Sequence, residues 1–315
     1  MSLISVRDLT HTYPGGVTAL QGLTLELEPG IIGFVGANGA GKSTFIKILL
    51  GLLTPTSGDV RVFDLDARTQ SLQIRQRVGY MPEHDCLPPD MTATDFVSHM
   101  GRLSGLPRAA ARERTAEMLR HVGLYEERYR HIGGYSTGMK QRVKLAQSLV
   151  HDPSLLLLDE PTNGLDPAGR EEMLELVRRT GQEFGIAVMV CSHLLGEIER
   201  VSDFLVAIDA GRLKSAAPLG SFTGEQQLLA VEVDEGSDAL VARLAAAGLQ
   251  AVEDGDVVVV PLLDERPYDA VRDAAAELGL ALVRMERRRH TLQELFRAPA
   301  GASASTREEA HGTRA

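Results

Sequence analysis

No stretch of this 315-residue chain comes near the roughly 18 consecutive apolar residues that a membrane-crossing helix needs. The amino terminus shows no basic region followed by an apolar core, so nothing there reads as a secretory signal. If the protein works at a membrane, another chain supplies the span. Cysteine is scarce. Cys86 and Cys191 are the only two, at no metal-ligand spacing, which excludes a disulfide framework and suits a reducing cytosol. Both are expected as buried or half-buried thiols. Positive charge is in short supply too: 33 lysines and arginines face 43 acidic residues, for a net charge of −10. That balance argues against a nucleic-acid partner, which needs a broad basic surface. The remaining composition, 43% hydrophobic and 24% charged, is ordinary for a soluble globular protein. At about 100–200 residues per domain, the length allows two domains.

What is present centres on one stretch, Gly36-Ala37-Asn38-Gly39-Ala40-Gly41-Lys42-Ser43-Thr44. It follows an apolar run, Ile31 to Val35, and precedes an apolar-periodic segment with Phe45, Ile46, Ile48, Leu49 and Leu50. Strand, Gly-rich loop, then helix is the context in which G-x-x-x-x-G-K-S cradles phosphate. The glycines let successive N–H groups turn inward, and the helix start adds its positive end. Lys42 is expected to reach the β- and γ-phosphates, and the Ser43 hydroxyl to take one position on Mg²⁺. A flexible Gly-rich turn explains the glycines but not the Lys-Ser pair behind them.

Along the chain, Leu3 to Thr10 reads as an edge strand with Leu3, Val6 and Leu9 inward. Thr12 to Gly16 is a turn carrying Tyr13, and Leu23 to Leu27 is a second strand. Asp59 to Phe63 and Arg77 to Met81 continue the strands. From about Thr92 to Val122 the character turns helical, with a break at Gly105-Leu106-Pro107. A further helix opens near Ser136 and keeps Val143, Ala146, Leu149 and Val150 on one face. Four leucines, Leu155 to Leu158, suit a central parallel strand buried on both faces. Asp166 caps a helix with Pro167 in its first position. Ile186 to Val190, Phe204 to Ile208 and Arg212 to Ser215 complete an α/β domain of parallel strands and crossover helices.

From about Gln226 the pattern restarts. Strands at Leu228–Val233, 250–253, Val257–Val260 and Leu280–Met285 alternate with helices at 237–247 and 266–278. The hairpin signal is Asp254-Gly255-Asp256. This is the split βαβ order of a small ferredoxin-like α+β domain. Arg287-Arg288-Arg289-His290 is a solvated charge run, Leu292 to Phe296 a short closing helix, and the tail from Ala298 disordered.

Asp159 and Glu160 close the four-leucine strand, where a parallel sheet presents its ligand groups. A buried strand does not end in two carboxylates without a use for them. Asp159 suits a Mg²⁺ partner and Glu160 the polarisation of an attacking water. His193 follows the next strand and is expected beside the same site.

Taken together, these residues resemble the ATP-binding cassette (ABC) family of transporter ATPases over residues 3 to about 215. The resemblance implies a P-loop NTPase cassette at 1–220 with a helical insertion at about 84–150. It would be followed by the accessory domain at 221–297 and the tail at 298–315. Tyr13 matches the family's adenine-stacking aromatic, and Gly36, Asn38, Gly39, Gly41, Lys42, Ser43 and Thr44 fall in its Walker A segment. Tyr135 to Arg142 matches the signature, with Ser136 and Gly138 at its phosphate-contacting positions. Asp159 matches the Walker B aspartate, Glu160 the catalytic glutamate, Asp166 the dimer-contacting loop and His193 the switch histidine. The cofactors implied are ATP and Mg²⁺. In this family the signature of one subunit completes the phosphate site of another, which implies a homodimer.

Two positions depart from the commonest pattern. Glu83 stands where a glutamine usually contacts Mg²⁺ and couples to the membrane partner, and a carboxylate there still ligates Mg²⁺. The signature reads Tyr-Ser-Thr-Gly-Met rather than Leu-Ser-Gly-Gly-Gln. Both features are similar to exporter ATPases that pair with a separate six-helix permease, drug and antibiotic pumps among them. The expectation is therefore a cytoplasmic subunit held on the inner face of the cell membrane by its permease. An importer ATPase, or a non-transport relative acting on ribosomes or DNA, is the alternative. Cargo stays unassigned, because its contacts would lie in the permease.

Overall fold

The computed structural model describes residues 2–84, 86–223, 227–254, 257–262 and 265–289. The chain divides into two compact units at Leu219/Gly220.

In the first unit, β1 (Ile4–Thr12) lies between β2 (Thr18–Leu27) and β4 (Ser57–Val62), with β5 (Leu65–Asp66) beyond. The sheet is antiparallel. The expectation of an edge strand at Leu3–Thr10 is thus corrected. Alternation marks a one-sided strand but says nothing about how many neighbours its backbone pairs with. Its apolar face is as expected, with Leu3, Val6 and Leu9 all buried.

The second sheet is built on β3 (Ile31–Val35), which leads into α1 (Lys42–Leu49). After α2 (Ser71–Arg77) and β6 (Val78–Met81) comes a helical insertion. It holds α3 (Ala93–Leu103) and α4 (Arg108–His121), then a 3-10 turn at Ile132–Gly134 and α5 (Thr137–Leu149). There follow β7 (Leu155–Asp159), α6 (Pro167–Phe184), β8 (Ala187–Ser192), α7 (Leu195–Val201), β9 (Phe204–Asp209) and β10 (Arg212–Pro218). The order across the sheet is β10-β9-β3-β8-β7-β6, parallel except for β10. Every residue of β3, β7 and β8 is buried, as a sheet covered on both faces requires.

The core of this unit joins both sheets through α1. Phe34 of β3 and Phe45 of α1 stack at 4.8 Å, both fully buried. Each contributes about 1.5–3 kcal/mol by burial alone. Helix α6 begins as its sequence demands, with the Gly169 N–H donating to Asp166 Oδ1 at 3.0 Å and Pro167 in the first position. It stops at Gly185, whose φ of 62° a side chain would disfavour.

The second unit opens with the short α8 (Gly220–Thr223), followed by β11 (Gln227–Val233), α9 (Ser237–Ala246), β12 (Val252–Asp254), β13 (Val257–Leu262), α10 (Arg266–Leu278) and β14 (Leu282–Arg289). Its sheet order, β12-β13-β11-β14 with every pair antiparallel, is the split βαβ arrangement. Leu229, Val231 and Val233 of β11 pack with Val258 and Val260 of β13 against Leu240, Leu244 and Val271 of the helices.

Two expectations shift. The last strand runs to Arg289 rather than ending at Met285, so the backbone of Arg287, Arg288 and Arg289 is paired to β11. Cys86 is exposed in the loop after β6, against the expected half-buried thiol, while Cys191 is buried in β8. The turn residues Gly255 and Asp256, His290, the closing helix at Leu292–Phe296 and the tail from Ala298 lie outside the described residues.

Candidate functional site

Parallel pairing sets the site's layout before any side chain is considered. Val35 of β3 lies opposite Ser192 of β8, and Cys191 opposite Asp159 of β7. Three neighbouring strands therefore end at one level, and the loops leaving them carry the Gly-rich segment, His193 and Glu160.

These loops enclose a cavity of about 430 Å³. Its lining includes Tyr13, Asn38, Gly39, Gly41, Lys42, Ser43, Thr44, Glu83, Asp159 and Glu160, all expected from sequence. Gly36 supports it from below: its carbonyl accepts from Lys42 Nζ at 2.8 Å, and a Cβ there would meet the Ile208 carbonyl at 2.7 Å. Gly41 caps α1 at φ 109°, with the Ala19 carbonyl 2.5 Å from where a Cβ would stand. Only glycine fits either demand.

Lys42 Nζ also lies 3.2 Å from Glu160 Oε1, both side chains almost wholly buried. The other oxygen of Glu160 accepts from His193 Nδ1 at 2.9 Å. Glu160 itself has φ 50°, a conformation a non-glycine residue rarely takes. Strain of this kind collects at functional positions.

Asp159 is buried, and its Oδ1 has no hydrogen-bond partner. Burial pushes its carboxyl above the usual range, and the nearby carboxylates of Glu83 and Glu160 push the same way; a hydrogen bond from Ser43 and the charge of Lys42 oppose them. An unpaired buried carboxylate oxygen beside Ser43 and Glu83 is a donor set of hard oxygens, which fits Mg²⁺. Among the described residues no group of three His, Cys, Asp or Glu side chains could hold a metal alone. Behind Asp159, burial raises the Cys191 thiol well above its usual value, so it stays a packing residue.

Tyr13 stands at the rim with its hydroxyl 3.0 Å from Thr44 Oγ1 and its ring edge-on to His11. Val17, 67% exposed, lines the same rim and was not anticipated. An exposed valine in a turn carries no signal until its neighbours are known.

Ser136, Gly138 and Asp166 do not line this cavity. Ser136 caps α5, accepting from the Met139 N–H at 3.3 Å, and Asp166 caps α6. The two helix starts abut: a Cβ on Gly164 would lie 3.2 Å from Thr137, and one on Gly138 would lie 3.7 Å from Leu165. Ser136 and Asp166 are both exposed.

Sequence reading also missed a buried carboxylate. Glu197 in the first turn of α7 accepts at one oxygen from both Thr162 and Ser192, each at 2.8 Å; its other oxygen is unpaired. It ties the loop after Glu160 to the end of β8, next to His193. A glutamate four residues after His193, one turn into a helix, was the available signal.

A family profile described as ABC transporter matches residues 20–163. An uncharacterized ABC transporter ATP-binding protein of Bacillus subtilis, YxlF, is 33% identical over 93% of this chain and 98% of its own length. The daunorubicin/doxorubicin resistance ATP-binding protein DrrA of Streptomyces peucetius is 35% identical over 96% of this chain and 94% of its own. Among solved structures, cbiO1 of Clostridium perfringens, described as part of the ABC transporter complex cbiONQ, superposes with a TM-score of 0.66. It is 26% identical and covers 78% of this chain and 97% of its own.

Proposed function

The chain belongs to the ABC transporter family as its ATP-hydrolysing subunit, and from that premise we propose that it drives export through a separate membrane permease. Two copies would close on ATP. Among the described residues no helix is long and apolar enough to cross a membrane, so the permease would hold the chain at the inner membrane face. The likeness to DrrA, which runs through both units, supports export over import.

The observation that carries the mechanism is the placement of Glu160 between Lys42 and His193. The backbone N–H groups of the Gly-rich loop would bind the phosphates, with Tyr13 and Val17 offering an apolar rim to the base. Lys42 would leave Glu160 for the β- and γ-phosphates, freeing the carboxylate to take a proton from the attacking water. His193 would hold Glu160 in position and donate toward the γ-phosphate. Ser43, Asp159 and Glu83 would hold Mg²⁺, whose charge offsets that of the phosphates. Ser136 of one copy, exposed beside Asp166, and the half-buried Gly138 would close over the phosphates of the other. Each copy carries both halves of the site, so a twofold dimer makes two equivalent sites.

Size-exclusion of the Glu160→Gln variant in saturating MgATP tests this reading. A dimer that reverts to monomer when ATP is removed is expected; a monomer in both states overturns it. Reconstitution with the membrane partner then sets direction: ATP-dependent extrusion supports export, and uptake overturns it.

A further inference from the structure

The helical insertion carries a charge pattern that the ATPase cycle does not use. Between residues 91 and 135 stand seven arginines and five carboxylates, in a chain whose net charge is −10. Four of those arginines converge. Arg102 of α3, Arg108 and Arg112 of α4, and Arg128 line a groove of about 550 Å³, together with His99 and Tyr129. Its one carboxylate, Asp95, is engaged elsewhere, accepting from the Thr92 hydroxyl at 2.7 Å at the start of α3.

Arg102, Arg108 and Arg112 are exposed and make no ion pair among the described residues. Arg128 is half-buried and lies over the rings of Tyr125 and Tyr129, donating to the Tyr125 carbonyl. Helix α4 makes the imbalance worse. It starts with Arg108, has no side-chain cap and has no acidic residue in its first turn. Helix starts favour anions, so a guanidinium there adds positive charge to the positive end of the helix. Some exposed arginines elsewhere pair with carboxylates, as Arg243 does with Glu277 and Arg272 with Asp269 and Asp273. Others, such as Arg7, Arg68 and Arg178, make no ion pair among the described residues but do not line this groove. Here the counter-charge is missing.

We propose that this groove docks the phosphate headgroups of anionic phospholipids. Guanidinium groups bind phosphate in paired hydrogen bonds, and several converging arginines suit a surface that presents many phosphates. Tyr129 is 66% exposed at the groove, and Leu103, next to Arg102, is 68% exposed. An aromatic and an aliphatic side chain beside arginines suit a membrane interface, where apolar groups enter between headgroups. A free phosphate ion would leave both unused. The inference rests on the reading that the chain works at a membrane.

Vesicle flotation of the full chain tests it, using phosphatidylcholine alone and phosphatidylcholine with added phosphatidylglycerol. Binding is expected only to the anionic vesicles, weakening as salt is raised. Each arginine replaced in Arg102→Ala, Arg108→Ala and Arg112→Ala weakens partitioning about fivefold. The lysine versions retain most binding, and Arg243→Ala with Arg272→Ala, which removes paired arginines, changes nothing. Equal binding to neutral vesicles, or a triple alanine variant that floats like the parent, overturns the proposal. So does complete displacement by inorganic phosphate at matched ionic strength, which would make the groove a free-anion site. ATP hydrolysis is followed in the same samples and is expected unchanged by these substitutions. Lost flotation with hydrolysis intact in the parent counts against lipid docking alone; absent hydrolysis counts against the function above.

Discussion

Replacing Glu160 by glutamine separates two roles that one carboxylate plays. Without nucleotide, Glu160 faces Lys42 at 3.2 Å, with both side chains 7% exposed. Removing one partner of a fully buried ion pair costs about 3–5 kcal/mol. Lys42 keeps the Gly36 carbonyl at 2.8 Å and sits at a cavity, so the loss should be nearer that of one charged hydrogen bond, about 2 kcal/mol. For a domain of this size that lowers the melting temperature by roughly 4–8 °C. Bound ATP supplies Lys42 with phosphate oxygens instead, so the variant should gain more from nucleotide than the parent does. Its turnover should fall about 10²–10⁴-fold, the usual worth of a general base. Thermal unfolding with and without ATP, set beside phosphate release, reads both effects. Turnover within a few fold of the parent would refute the base assignment. An unchanged melting temperature without nucleotide would show that the Lys42 contact stabilises nothing.

Glu83→Gln should keep ATP binding but shift the Mg²⁺ concentration needed for half-maximal hydrolysis, because one ligand charge is lost; superimposable Mg²⁺ titrations would remove Glu83 from the metal site. Glu197→Ala leaves the Thr162 and Ser192 hydroxyls without their acceptor and should lower kcat by about tenfold or more with KM little changed, while Glu197→Gln, which still accepts from both, recovers most of it. Equal kinetics for the two variants would reduce Glu197 to packing. Gly33→Ala puts a methyl 2.1 Å from Ile198 Cγ2 and should destabilise by about 1–3 kcal/mol in denaturant titrations as α7 is pushed from β3. His121 and His151 both have pKa values lowered from 6.5, chiefly by burial. The unfolded chain therefore takes up protons first as pH falls, so their contribution is full above 6.5 and is lost as pH drops below it toward the folded-state values. Melting temperature plotted against pH should flatten in that range for His121→Gln with His151→Gln; parallel curves for variant and parent would contradict the sign.

Much of the phosphate site was legible because its demands are local. A Gly-rich turn between a buried strand and a helix needs residues adjacent in sequence, and Gly36 to Thr44 declare it. The same holds for Leu155 to Glu160 and for the Asp166-Pro167 helix start. Pairing partners were less legible. The alternation of Leu3, Val6 and Leu9 gave the buried face of β1, yet its second neighbour, β4, lies some fifty residues on, and nothing in either segment names the other. The end of β14 was not legible either: backbone pairing to β11 extends through Arg287, Arg288 and Arg289, where a run of like charges reads as a solvated segment. Glu197 escaped notice because a buried carboxylate is recognised by its partners, and Thr162 and Ser192 arrive from a loop and from the end of a separate strand.

The start of α5, where Ser136 is exposed, and the phosphate site are joined within one chain by hydrogen bonds. Gln141, one turn into α5, donates to the Asn163 carbonyl at 2.9 Å, and the Asn163 amide reaches Glu83 Oε1 at 3.3 Å. A second route leaves the same helix: Lys144 Nζ donates to the carbonyls of Pro82 and Glu83 at 2.7 and 3.0 Å. Helix α5 thus grips Glu83 by side chain and by backbone, while Glu83 itself lines the nucleotide cavity. Any ligand that draws the Glu83 carboxylate toward Asp159 must either stretch the Asn163 contact or carry α5 with it. Because Ser136 caps that helix, moving α5 would move the face that the proposed dimer offers to a second copy. A glutamate at position 83 makes this link charge-dependent, since a divalent ion pulls on a carboxylate harder than on an amide. Under the proposed function, metal loading and the presentation of Ser136 and Gly138 would therefore be coupled through Glu83.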